Sequence, residues 1–204
     1  MENIDILTTI KNKQNHTHTK GADSARINLS ERLSKSKKLQ DSIRGAWINS
    51  CGNQMLCNGY FAIQYDYPVA GCVNIPQDIT PPQIDKVITD AKDNNGTCII
   101  KPKKQLIDAC TQAIKLAKAQ GTEPLMRISG KTTTDTQVDI YFNPRLLWGI
   151  VNTLTNDING ITVRVSNRYN AATNPIFIQG GNGCACLCPV KVLEPVKTSV
   201  YELK

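Results

Sequence analysis

The chain has 204 residues and a formal net charge of +7, of which +4 falls within residues 1–40. A hydrophobic share of 40% supplies a core and excludes wholesale disorder. No stretch approaches the roughly 18 apolar residues of a membrane span, and the first ten residues carry Glu2 and Asp5 where a signal peptide would be apolar. The expectation is a soluble, cytoplasmic protein without a membrane partner, whose basic balance suits a polyanion such as nucleic acid.

Residues 11–24 are polar and without period, and a flexible N-terminal segment is expected over 1–24. Ile27, Leu29, Leu33 and Leu39 among Arg32, Lys35, Lys37 and Lys38 suggest a weak basic helix. Short strands are expected over 43–50, 54–58, 60–67 and 72–75, separated by glycines. Thr80, Pro81 and Pro82 then open a helix with Ile84, Val87, Ile88 and Ala91 on one face. A strand over 97–100 leads to Pro102, the candidate domain junction.

The strongest helical pattern is 103–120, where Leu106, Ile107, Cys110, Ala113, Ile114 and Ala117 share a face before Gly121. At 100° per residue, Lys104, Lys115 and Lys118 fall in one stripe away from that face. Strands over 125–129 and 137–142 precede a helix opened by Asn143 and Pro144. Strands over 161–166, 175–179 and 184–192 follow, with a hairpin turn at 180–183 and a polar tail over 194–204. Mixed helices and hairpin-linked strands predict an α+β fold, with helices on one face of antiparallel sheets.

Eight cysteines in a chain without a signal peptide do not read as a disulfide framework. Cys184, Cys186 and Cys188 alternate as residues lining one face of a strand do. The only histidines, His16 and His18, lie in the polar N-terminal segment. The sequence lacks a nucleotide-binding glycine loop, a zinc-protease motif and a serine-nucleophile motif. The expectations are no enzyme activity, no cofactor and no metal.

Several segments carry a resemblance: RGAWIN from Arg44, MLCNGYFAI from Met55, NIP from Asn74 and IKPKKQLIDAC from Ile100. They are followed by IYFNPRLLWGIVNTL from Ile140, PIFI from Pro175 and CPVKV from Cys188. In order and spacing they resemble the DNA polymerase sliding clamp of the bacterial and phage β-subunit type, in shortened form. The resemblance covers about residues 42–193. Cys57 and Asn58 stand where the family's turn has Thr-Asp, and Tyr60 and Phe61 replace its His-Arg.

The resemblance implies a clamp fold with two units, 25–101 and 102–193, and a processivity factor that binds double-stranded DNA without sequence preference. Lys104, Lys115 and Lys118 would touch phosphates, with Arg145 and Lys86 as further contacts. A cleft for short peptides of DNA polymerase and clamp loader would combine Gly59, Tyr60, Phe61 and Ala62 with Cys188, Pro189, Val190, Lys191 and Val192; core packing is the competing role for these side chains. Six ring domains at two per chain imply a homotrimer, joined at edge strands such as 60–66 and 161–166. The rival readings are a clamp-fold partner-binding module that does not encircle DNA, and a Cys-rich metal or redox protein.

Overall fold

A computed structural model of the chain describes residues 20–94, 97–131, 137–158, 160–166, 173–192 and 198–202. In chain order these form α1 (Lys20–Ser34), β1 (Trp47–Ile48), β2 (Gln54–Cys57), β3 (Phe61–Tyr65), α2 (Asp85–Asn94) and β4 (Thr97–Lys101). Next come α3 (Lys103–Gln120), β5 (Met126–Lys131), β6 (Gln137–Phe142), α4 (Pro144–Leu154), β7 (Ile161–Val165), β8 (Ile176–Gly180), β9 (Gly183–Leu187) and β10 (Ser199–Glu202). None of the described helices is long and apolar enough to cross a membrane.

Seven strands pair antiparallel in the order β1-β2-β3-β9-β8-β7-β4. Successive side chains on a strand point to opposite faces, and both faces of this sheet are apolar. Leu56, Ile63, Val163, Ile178 and Ala185 join a core shared with α1, α3 and α4. Met55, Ala62, Phe177 and Cys186 form a second cluster with Ile88 and Ala91 of α2 and with Ile84 just before it. Three helices therefore lie on one side and α2 on the other. A smaller sheet, β10-β5-β6, adds Met126, Ile128, Val138, Ile140 and Phe142 to the first core.

Local chemistry accounts for the two central helices. The Asn143 side chain accepts a hydrogen bond from the Arg145 N–H at 3.0 Å, and Pro144 occupies the first turn of α4, where its missing N–H costs nothing. Gly121 ends α3 in the left-handed conformation, its N–H reaching the carbonyls of Ala117 and Lys118.

Helix α1 docks differently. Its buried stripe is Ala22, Arg26, Leu29, Ser30 and Leu33. The Arg26 guanidinium lies 3.7 Å from the Tyr65 ring centroid and 4.7 Å from that of Tyr67. Its Nη1 donates to the Tyr67 carbonyl (2.7 Å) and to Gln54 Oε1 (3.2 Å), and Asp23 stands 3.9 Å from Nη2.

The structure departs from the sequence expectation at identifiable places. The segment expected to be flexible through residue 24 is helical from Lys20, while residues 1–19 lie outside those described. The expected strand over 72–75 is a single bridge, Ala46 to Asn74. Part of the polar tail pairs as β10, parallel to β5. The strands expected at edges are interior: β3 lies between β2 and β9, and β7 between β8 and β4. The edges of the large sheet are β1 and β4. The expected unit boundary falls between β4 and α3, and the sheet continues across it, since β4 pairs with β7 and β3 with β9.

The β3–β9 ladder demands a glycine at one point. Gly183 has φ +144°, and a Cβ there would sit 2.1 Å from the Gln64 carbonyl oxygen. Gly183→Ala is expected to cost about 2–4 kcal/mol in urea unfolding. Gly59→Ala, also at positive φ but with open space around its Cβ position, is expected to cost about 1 kcal/mol.

Candidate nucleic-acid interface and partner cleft

Charge is divided unevenly between the two sides of the large sheet. Helices α1, α3 and α4 together carry eight bases and three acids, a net of +5. Helix α2, on the far side, carries two bases and three acids, a net of −1. Each acid of the three-helix layer stands beside a base: Asp23 by Arg26, Glu31 by Lys35 at 3.6 Å, and Asp108 by Lys104 at 2.7 Å. The Glu31–Lys35 and Asp108–Lys104 pairs are exposed and hold little energy, so their main effect is local neutralisation, whereas Arg26 is buried. The basic excess sits on Arg32, Lys115, Lys118 and Arg145, all exposed.

The predicted stripe on α3 is present. Lys104, Lys115 and Lys118 are exposed, while Leu106, Cys110, Ala113 and Ala117 face the core. Arg145 is exposed at the start of α4, the helix that lies between α1 and α3. Lys86 is not brought together with these residues: it lies on α2, across the sheet. Arg32 and Lys103 also belong to the layer, and sequence reasoning did not assign either as a contact. Arg32 belongs to a helix whose buried stripe is too polar to orient it, and Lys103 opens α3 outside the stripe.

Lys103 is half-buried at the junction of α3 and α4. Its Nζ donates to the Thr155 carbonyl, and desolvation by burial holds its ammonium below the usual lysine range.

The two halves of the predicted peptide cleft are adjacent because β3 pairs with β9. Phe61 lies opposite Leu187 and Ala62 opposite Cys186. The Cys188 N–H donates to the Tyr60 carbonyl at 2.8 Å, and the Val190 N–H to the Tyr141 carbonyl at 2.7 Å. Asn58 shapes the turn by accepting from the N–H groups of Tyr60 and Phe61, each at 2.9 Å. Tyr60 is 67% exposed and Val190 38%. Gly59 and Lys191 are exposed, and Cys188, Pro189 and Val192 are half-buried. Phe61 and Ala62 are core residues, one on each face of the sheet. Tyr60 is thus the aromatic group this surface offers, while Phe61 belongs to the core.

No family model matches the chain, and no curated protein matches it by sequence. Solved structures do. The DNA polymerase sliding clamp of Bacillus subtilis matches at 14% identity and TM-score 0.56, over 84% of this chain and 63% of that one. The sliding clamp of Bartonella birtlesii, bound to griselimycin, matches at 14% and 0.59, over 81% and 64%. A putative DNA polymerase III beta subunit from Eubacterium rectale matches at 13% and 0.54, over 82% and 64%. The chain has the sliding-clamp fold, in α+β form, and spans less than two thirds of the length of these clamps.

The cysteines bear on the metal or redox reading. Cys186 packs with Met55, Ala62 and Phe177 beneath α2, with Cys184 at the edge of that cluster. Desolvation by burial pushes the Cys186 and Cys110 thiols up to about 12 and Cys184 to about 11. Among the described residues, no group of three or more His, Cys, Asp or Glu side chains is placed to hold a metal ion. A thiol whose pKa rises on folding stabilises the fold fully below its unfolded value near 9, and that contribution is lost as pH climbs toward 12. Stability is expected to fall over that interval, less steeply in Cys186→Ala. At about pH 8, alkylation followed by peptide mapping should label exposed Cys51 in the native protein and spare Cys110 and Cys186 until denaturant is added.

Proposed function

We propose that the protein is a non-enzymatic, sliding-clamp-like processivity factor that holds double-stranded DNA through its three-helix layer and tethers replication partners. The observation that carries this reading is the charge division: +5 on the helix layer against −1 on the helix across the sheet. A surface that must travel along DNA needs cations for phosphates and no side chains committed to base edges. Lysines spread over an exposed helical face meet that need. The sliding-clamp fold of the chain supports the same role.

Binding is expected to be independent of sequence and steeply dependent on salt, with the slope falling by about 0.9 for each phosphate the protein ceases to neutralise. Lys104→Glu, Lys115→Glu and Lys118→Glu combined should abolish duplex binding in a filter or anisotropy assay and leave the thermal unfolding curve in place. Lys86→Glu, across the sheet, should leave binding unchanged. Unchanged affinity in the triple variant would remove α3 from the reading.

We further propose that the surface at Tyr60 and Cys188–Val190 receives linear motifs of a polymerase or clamp loader. Large aromatic side chains anchor such interfaces, and Tyr60 projects beside a hydrogen-bonded segment. The variant Tyr60→Ala, Val190→Asp should bind polymerase-derived peptides at least about tenfold more weakly, read by anisotropy, with duplex affinity unchanged.

The assembly proposed is a homotrimer of two-unit chains, 25–101 and 102–193, joined head to tail at the two edges of the large sheet, β1 and β4. Light scattering should give a mass near three 22.5 kDa chains. A mass near one chain would favour the second reading, a partner-binding module that meets DNA from the side. The favouring observation for that reading is that β3 and β7, the strands expected to make ring contacts, lie in the interior of the sheet.

A further inference from the structure

Helices α1 and α4 run antiparallel, with small residues along the edges that face each other. The Cβ position of Gly21 lies 2.9 Å from Asn156 Oδ1, and that of Gly149 lies 3.8 Å from Arg32 Nη2. With Ala25 between, a groove of about 370 Å³ opens along the pair. Its contents are unlike the lysine stripe of α3. Trp148, 39% exposed, forms part of the wall, and Asn28 and Asn152 bring side-chain amides from the two helices.

The groove has a cation toward each end. Arg32 lies by Gly149, and Lys103 lies by Thr155 and Asn156. Gly149 lies five residues before the last residue of α4 and Thr155 caps that end, so the two cations stand on the order of 10 Å apart along the helix. No carboxylate is among the lining residues. A flat, partly exposed indole, amides that both donate and accept, and cations without acids are the groups that bind a base and its flanking phosphates.

We infer that this groove takes an unpaired segment of a nucleic-acid strand, a base stacking on Trp148 while Arg32 and Lys103 hold the phosphates on either side. A paired base hides its faces within the duplex stack, so duplex DNA engages the lysine stripe and only an unpaired segment reaches the indole. The inference deepens the reading of the helix layer as a DNA surface and rests on it. It adds a preference for places where a strand leaves the duplex.

The test uses the full chain, a short oligothymidylate and a duplex of mixed sequence. Trp148 is the quenchable fluorophore, because Trp47, the other tryptophan, is buried in the cluster beneath α2. The oligothymidylate should quench that emission and the duplex should not. Trp148→Ala should weaken single-strand affinity about tenfold, Trp148→Phe should largely restore it, and neither should change duplex affinity. Arg32→Gln should lower the single-strand salt slope by about 0.7.

Single-strand binding that survives Trp148→Ala unchanged would overturn the site while leaving the duplex reading intact. So would duplex binding without any single-strand binding, or equal quenching by a polyglutamate peptide. Single-strand binding abolished in Trp148→Ala, with no duplex binding in the wild type, would uphold the site and overturn the duplex reading.

Discussion

The pairing of β3 with β9 is the constraint from which the remaining architecture follows. It joins strands more than a hundred residues apart in sequence and turns two hairpin groups into one seven-stranded sheet. Once continuous, the sheet presents two apolar faces, and each requires a cover. The hairpin-linked strands leave α2 on one side and α1, α3 and α4 on the other. The ladder also needs an unusually close backbone approach, possible at Gly183 because it has no side chain. The same pairing sets Tyr60 beside Cys188, so the surface proposed for partner peptides is a by-product of sheet closure.

Burying Arg26 is the least expected step in that closure. A guanidinium removed from water is costly unless its charge and donors are met. Here two aromatic faces, two oxygen acceptors and Asp23 surround it, while Nε and Nη2 have no hydrogen-bond partner. Cation–π interactions in desolvated surroundings are worth about 2 kcal/mol, which offsets part of the desolvation cost. The arrangement fixes α1 in rotation as well as position. Arg32, six residues on, is thereby held on the exposed side next to Gly149 of α4.

What the sequence disclosed tracks how local the determining interaction is. Helix α3 was legible to the residue because its apolar period and Gly121 sit within the segment. Helix α4 was legible from Asn143 and Pro144, and the β8–β9 hairpin from its glycines. Helix α1 was blurred because its buried stripe contains Arg26 and Ser30, which read as polar. Edge and interior strands could not be told apart, since neighbours such as β3 and β9 are set by tertiary pairing alone. Phe61 matched a motif position, yet pleat alternation sends it inward and leaves Tyr60 outward. The parallel strand β10 had no local signal, because pairing with β5 requires the tail to return from the far end of the chain.

The charge pattern shows why a net value says little about function until a fold distributes it. A surplus of +7 over the chain is compatible with plain solubility. Sorted by the sheet, the same residues give a basic layer of three helices opposed to a slightly acidic α2. Within the basic layer the two kinds of cation have different surroundings. Lys115 and Lys118 stand on a convex helical face, where engagement of phosphates is interchangeable from step to step. Arg32 and Lys103 flank a recess with an indole in its wall, where engagement depends on what fills the recess. On the function proposed above, the exposed stripe would serve a moving duplex and the recess an unpaired strand.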